Sequence, residues 1–208
     1  WTIDLTAPSM RIDHPTSGSW HNATAALQWS TLADDLATST GELTWTSADG
    51  LTSTAAPVAW GDLATSEGEH TLEVYGTDLA GNDGPTTASA FGIDLTSPTV
   101  TVTLESPART NITTATLSGT AADALSGVAQ LRYELLGPGG TTTSTIEVAG
   151  LPAGQTTYTL VLPDLAEGVH ELRVWAFDVA GNVSLDAATS WTIDLTAPSM
   201  RIDHPTSG

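Results

Sequence analysis

Acidic side chains recur in this sequence inside short phrases that return at a spacing of nearly one hundred residues. Asp4, Asp94 and Asp194 occupy the same place in the phrases TIDLTAP, GIDLTSP and TIDLTAP, 90 and then 100 residues apart. A second phrase, DLAGN at 78–82, returns as DVAGN at 178–182. Carboxylate and amide oxygens are the ligands that hard cations such as calcium prefer, in sets of about six to eight. The chemistry of these residues therefore depends on whether the fold brings the phrases together.

The same recurrence governs the whole chain and predicts its domain organisation. Trp1 to Gly18 returns unchanged as Trp191 to Gly208, and EGEHTLEVYGTDLAGN at 67–82 returns as EGVHELRVWAFDVAGN at 167–182. A period of about 95 residues is typical of a string of similar domains. The predicted divisions are the end of a preceding domain at 1–4, two domains at 5–94 and 95–194, and the start of a third at 195–208.

Short alternating segments separated by Gly, Pro and Asn turns fill both halves, and helical periodicity is nearly absent. The second half divides into predicted strands around Val100 to Leu104 and at 112–120, 128–136, 143–149, 156–162, 170–177 and 186–194. Seven short strands with turns at intervals of about eight to twelve residues are typical of an antiparallel sandwich. We therefore expect an all-β fold of tandem seven-stranded immunoglobulin/fibronectin-like β-sandwiches arranged end to end.

The strand at 170–177 and its copy at 70–77 show the clearest alternation. Period-two spacing assigns one set of side chains to the core, namely Leu72, Val74, Gly76, Leu172, Val174 and Ala176. Glu73, Glu171 and Trp175 fall on the opposite face. His70 and His170 open these strands, and we interpret both as structural hydrogen-bonding residues.

In a sandwich of this type, three segments are predicted to lie at one end: the entering segment, the loop between the strands at 112–120 and 128–136 (the B–C loop), and the loop between the strands at 170–177 and 186–194 (the F–G loop), with their equivalents in the first half. Two sets of oxygen-bearing side chains then converge. The first is Asp4, Asp34, Asp78 and Asn82, with Asp35 as a spare carboxylate, and the second is Asp94, Asp123, Asp178 and Asn182. Together with backbone carbonyl oxygens of the loops, each set would provide enough ligands to bind calcium. An ion at a domain junction would also restrict bending between the two domains.

Turn formation is the alternative explanation for the same residues. Asp and Asn side chains bond to nearby backbone amides in turns, and the Gly and Asn of AGN tolerate positive φ. The prolines of TAP and TSP make the linkers short and stiff in either case. The sequence leaves both explanations open.

The composition of the chain argues against several classes of partner and function. The chain has 24 acidic residues against five arginines and no lysine, a net charge of −19, which disfavours nucleic acid and anionic membrane as partners. There is no cysteine, which excludes disulfides and thiolate metal sites, and no apolar run long enough to insert into a membrane. None of the five histidines lies in a metalloprotease motif, and no phosphate-binding loop is present, so we expect no enzymatic activity.

The phrases IDLTAP, DALSGV and DLAGN or DVAGN, in this order and spacing, resemble bacterial immunoglobulin-like repeats of large surface and adhesin proteins. The resemblance covers both halves, although DDLATSTG replaces DALSG in the first. It implies secreted, non-enzymatic tandem sandwiches that act as extracellular stalks or adhesive rods, some of them stiffened by calcium. The implied partners are neighbouring domains of the same chain, lateral copies or surface glycans.

The sequence also leaves two other functions open. One is a carbohydrate-binding or accessory module of a secreted hydrolase, which exposed tryptophans aligned on one face would favour. The other is a subunit of a self-assembling extracellular fibre, in which lateral contacts bury exposed aromatics. We predict core positions for Trp29 and Trp45 and exposure for Trp20, Trp60 and Trp175.

Overall fold

The structure, a computed structural model, describes residues 3–32, 35–46, 52–59, 61–146 and 154–201. The described residues form strands, turns and bends, and none of them is helical. The predicted all-β fold class is therefore confirmed. Its basis is the abundance of β-branched residues in short alternating segments, which fit a pleated, half-buried surface better than a helix.

The first half of the chain contains nine described strands. These are β1 Met10–His14, β2 Trp20–His21, β3 Ala25–Ala26, β4 Gln28–Thr31, β5 Leu36–Thr46, β6 Thr52–Val58, β7 Leu63–Ala64, β8 Gly68–Asp78 and β9 Thr87–Ile93. A five-stranded sheet has the order β2-β9-β8-β5-β6, and the pairs β1-β4 and β3-β7 form two small sheets. All pairings are antiparallel except β2 with β9.

The second half repeats this plan. Its strands are β10 Thr99–Val100, β11 Thr103–Leu104, β12 Arg109–Thr110, β13 Ala115–Asp123, β14 Val128–Gly137, β15 Gly140–Ile146, β16 Gly154–Leu162, β17 Gly168–Asp178 and β18 Ala187–Ile193. The five-stranded sheet runs β12-β18-β17-β14-β15, and β13 pairs with β10, β11 and β16 in the other sheet. The order of the five-stranded sheet is the same in both halves.

The first predicted strand of the second half is divided into short pieces. β10 and β11 pair antiparallel with β13, whereas β12 pairs parallel with β18 in the other sheet. Pro107 lies between β11 and β12. Proline cannot donate a ladder hydrogen bond and restricts the residue before it, so the chain leaves one sheet there and joins the other.

Each half has its own hydrophobic core. One cluster joins residues from Met10 to Ile93 and the other joins residues from Ala115 to Ile193, with no shared member among the described residues. The predicted core face of strands β8 and β17 is confirmed, since Leu72, Val74 and Leu172 are fully buried. The outward residues of both strands alternate with them, as a pleated strand requires.

The core position predicted for Trp29 is confirmed, but Trp20 and Trp175 are less exposed than predicted. Trp29 is buried, Trp20 and Trp175 are half-buried, and the side chains of Trp45 and Trp60 lie outside the described residues. His70 and His170 are buried at the start of β8 and β17. Their Nε2 atoms lie 2.6 and 2.9 Å from the carbonyl oxygens of Ser66 and Ala166, so each ring donates to the preceding turn.

Candidate metal centre at the domain junctions

Three buried carboxylates meet where the second half of the chain begins. Asp94 follows β9, Asp123 ends β13 and Asp178 ends β17. One carboxylate oxygen from each lies within 4.8 Å of the others, and all three residues are at most 6% exposed. The structure thus brings together three of the four residues of this predicted set as close neighbours, although they are far apart in sequence.

Backbone amides surround these carboxylates. Asp178 Oδ1 accepts hydrogen bonds from the amides of Gly181 and Asn182, at 2.6 and 2.7 Å. Asp123 Oδ1 accepts from the amides of Leu125 and Gly127, at 3.1 and 2.7 Å. These are the loop contacts that turn formation predicts, and the positive φ of Gly181, 98°, fits the same turn.

Asp94 ties the entering segment to this end of the sandwich. Its Oδ1 accepts from the amide of Thr96 at 3.1 Å, which forms an Asx turn, and its Oδ2 accepts from the amide of Ser126 at 3.0 Å. Its own amide donates to the carbonyl oxygen of His21 in the first half at 2.9 Å. Asp94 is therefore bonded to both halves of the chain.

Asn182, the fourth predicted member, contacts the cluster through its amide nitrogen. Nδ2 donates to Asp178 Oδ2 at 2.7 Å and to the carbonyl oxygen of Asp94 at 2.8 Å. Asn82 makes the corresponding bonds to Asp78 Oδ2 and to the carbonyl oxygen of Asp4, at 2.8 and 3.2 Å. Both asparagines thus tie the F–G turn to the entering segment.

The first half has a similar cluster, but one of its carboxylates is not the residue that was predicted. Asp4, Asp35 and Asp78 each place a carboxylate oxygen within 4.8 Å of the others. Asp34, the residue predicted for this position, lies outside the described residues. The spare carboxylate of Asp35 is therefore the one that the structure places beside Asp4 and Asp78.

The carboxylates of each cluster influence one another electrostatically. A side-chain hydrogen bond with Asp4, burial and the negative charges of Asp4 and Asp78 raise the pKa of Asp35. Burial, together with the charges on Asp94 and Asp178, raises the pKa of Asp123 despite its two amide donors. In contrast, the side-chain hydrogen bond from Asn82 and nearby backbone amides lower the pKa of Asp78. Clustered negative charge of this kind is what a divalent cation neutralises.

Four residues of the junctions form hydrogen bonds that the sequence did not predict, namely Glu67, Thr96, Glu167 and Thr196. Thr96 Oγ1 donates to Glu67 Oε1 at 2.7 Å, and the amide of Leu95 donates to the same oxygen at 3.0 Å. Thr196 Oγ1 and Glu167 Oε1 form the same bond at 2.6 Å. The two glutamates are recognisable in the sequence, because Glu67 and Glu167 both begin the repeated phrase EG-x-H. The sequence does not reveal that each bonds to a threonine in the following linker.

Replacing Glu67 with alanine should loosen the linker without affecting the core. The variant loses the hydrogen bonds that Glu67 accepts from Leu95 and Thr96, which we expect to stabilise the closed linker by about 1 kcal/mol. Hydrogen exchange at the Leu95 amide should therefore become about fivefold faster. Nuclear magnetic resonance can follow that amide together with core amides of β8. Glu69→Ala, two residues further along the chain and within β8, is the matched control and should leave the Leu95 amide unchanged. Equal exchange rates in the two variants would contradict a role for Glu67 in holding the linker.

The fold and the repeated junction define the class of the protein as an immunoglobulin-like β-sandwich protein. A family model for the bacterial Ig-like domain matches residues 87–195, just over half of the chain. The chain therefore belongs to the bacterial Ig-like domain family, and the resemblance noted in its sequence is confirmed. Comparison with curated proteins gives no significant match.

Several solved structures are similar over most of the chain. The fibronectin(III)-like modules of CbhA from Clostridium thermocellum are 15% identical with a TM-score of 0.43, covering 94% of this chain and all of theirs. The FN1–FN3 domains of chicken CNTN1 are 12% identical with a TM-score of 0.42, covering 90% of this chain and 67% of that one. The D00–D0 domain of Intimin is 12% identical with a TM-score of 0.35, covering 90% and 99%. At these identities the similarities say nothing about function.

Proposed function

We propose that this chain is part of an extracellular, non-enzymatic stalk in which bacterial Ig-like domains follow one another end to end. Such a stalk would project or link a cell surface, with its neighbouring domains as its principal partners. Membership of the bacterial Ig-like family and the unchanged return of an 18-residue phrase support this role. A net charge of −19 suits a long, well-solvated surface. The described residues form no helix long and apolar enough to cross a membrane.

The observation that carries the proposal is the connection at Asp94. Its amide bonds to His21 of the first half, while its carboxylate and carbonyl oxygens accept from Ser126 and Asn182 of the second. The side chain is fully buried. A linker residue bonded on both sides resists bending, whereas a Gly- or Ser-rich linker would behave as a flexible coil. A stiff connection is what a load-bearing or spacing element requires.

Calcium is the second part of the proposal. We propose that an ion bound by Asp94, Asp123 and Asp178, with the equivalent set around Asp4 and Asp78, stiffens each junction. Three carboxylates offer charge and oxygen ligands of the kind that calcium selects. Because Asp94 belongs to the linker, an ion held there would couple linker order to the fold of the following domain. Asn182 would then act by positioning Asp178 and the linker carbonyl.

Small-angle X-ray scattering tests the stalk directly. A compact globule of this length would have a radius of gyration of roughly 17 Å. We expect a clearly larger value, because two domains placed end to end extend along one axis. With calcium the scattering profile should fit a single extended arrangement, and chelator should broaden the distribution of interdomain distances. A radius of gyration at the globular value would contradict the stalk. An extended chain whose scattering profile is the same with calcium and with chelator would contradict only the proposed calcium site.

A further inference from the structure

The two halves of the chain present outer sheet faces of complementary character. On the second half, β14 and β17 place Arg132 opposite Trp175 and Gln130 opposite Phe177, on the face away from the core. On the first half, β5 and β8 place Glu42 opposite Glu73 and Thr40 opposite Tyr75. We call the first of these the arginine face and the second the glutamate face.

Arg132 is the centre of the arginine face. Its guanidinium carbon lies 4.7 Å from the centre of the Phe177 ring, which holds the side chain over the aromatic surface. The side chain is exposed, and within the described ranges no carboxylate forms an ion pair with it. Arg173 on the same face differs, because it pairs with Glu171 and Asp186. Arg132, Glu134, Trp175, Phe177 and Val183 line a shallow depression.

The strands of the glutamate face carry carboxylates but no arginine or lysine. Glu42 and Glu73 lie directly opposite each other on neighbouring strands, an arrangement in which like charges repel. The sequence contains no lysine, and no arginine lies between Arg11 and Arg109. Arg11 pairs with Asp13 on β1, away from this sheet. The first half thus has no lysine and its one arginine is already paired, while Tyr75 beside the two carboxylates is 43% exposed.

We propose that the arginine face of one copy docks on the glutamate face of a second copy, as a lateral contact between stalks. The guanidinium of Arg132 would lie between the carboxylates of Glu42 and Glu73, and Trp175 would pack against Tyr75. An arginine held over a ring forms bidentate carboxylate contacts at little entropic cost. Net repulsion between copies is screened within about 8 Å at physiological salt, whereas pairs in direct contact keep most of their attraction.

The repeat makes a weak contact of this kind effective. Because the two halves differ in these faces, a stalk in which this pair of domains recurred would alternate the two faces along its length. Two stalks offset by one domain would then make the contact repeatedly, and linked weak contacts add as avidity. The proposal goes beyond the stalk itself and does not depend on calcium.

Charge exchange between the two faces tests the docking. In sedimentation velocity at low salt, the 208-residue chain should associate with rising concentration and dissociate as salt is raised. Arg132→Glu should weaken this association by about tenfold or more, and so should the double variant E42R/E73R. An equimolar mixture of the two variants should associate again, because each supplies the face that the other needs. Arg11→Glu changes the net charge as Arg132→Glu does, lies on another sheet and should associate like the unmodified chain.

Several outcomes would overturn the docking while leaving the stalk intact. These are a chain that stays monomeric throughout, association that survives Arg132→Glu, or variants that fail to associate when mixed although circular dichroism shows both folded. A monomer that binds polygalacturonate through Arg132, without self-association, would assign the arginine face to an acidic polysaccharide instead. None of these results would alter the expected scattering profile of a single stalk.

Discussion

Replacing Leu172 with alanine should lower the free energy of unfolding of the second half by about 2–5 kcal/mol. Val174→Ala, which removes less volume, should lower it by about 1–3 kcal/mol. Both side chains are fully buried in the core, where neighbouring groups cannot fill the space that truncation leaves. Chemical unfolding followed through resonances of β17 and β18 reports on this half separately from the first.

Glu171 supplies the matched control because it neighbours Leu172 on the same strand and points to the opposite face. It pairs with Arg173 at 2.8 Å in a partly exposed position, and such pairs contribute little. Glu171→Ala should therefore change the free energy of unfolding by no more than about 0.5 kcal/mol. If Glu171→Ala cost as much as Leu172→Ala, the assignment of the two faces of β17 would be wrong.

Calcium should raise the melting temperature of the chain, and Asp178→Ala should remove much of that rise in the second half. An ion that binds only the folded state at one hundred times its dissociation constant stabilises it by about 2.7 kcal/mol. Magnesium should stabilise less, because it demands a tighter octahedron. Asp178→Ala should also destabilise the chain in chelator, by about 1–3 kcal/mol, since it leaves the Gly181 and Asn182 amides without their acceptor.

Asp123→Asn separates the two explanations for the cluster. Asparagine keeps an oxygen for the amides of Leu125 and Gly127 but removes a charge that burial and two neighbouring carboxylates make unfavourable. Because the pKa of Asp123 is raised in the folded state, its charge costs stability at neutral pH, and that cost disappears as the pH falls through the folded pKa. In chelator at neutral pH, Asp123→Asn should thus be as stable as the unmodified chain or more so, and in calcium it should be less stable.

Differential scanning calorimetry in calcium and in chelator measures this reversal. If chelator changes neither the melting curve nor the scattering profile, the aspartates act only as turn formers. The hydrogen bonds of Asp94, Asp123 and Asp178 would then be their whole role, and the stiffness of the junction would depend on those bonds and on the bond between Glu67 and Thr96.

Much of this protein could be predicted from its sequence, because the relevant signals are local and repeated. Alternation at every second residue identified the buried face of β17, with Leu172 and Val174 inside. The return of the same phrases predicted that the chain has two similar halves, and their five-stranded sheets have the same strand order. The positions of Asp94 and Asp178 at strand ends, with a glycine of positive φ after Asp178, followed from the turn phrases themselves.

Other features depended on how distant segments meet in space, which neither propensity nor period encodes. The structure places Asp35, just before β5, in the first cluster, although the phrase DALSG of the second half is missing from this part of the sequence. The bond from Thr96 to Glu67 spans 29 residues of sequence. The opposition of Glu42 to Glu73 and the position of Arg132 over Phe177 follow from strand register. Register is set by packing across both sheets, and a shift of one residue would turn every side chain of a strand to its other face.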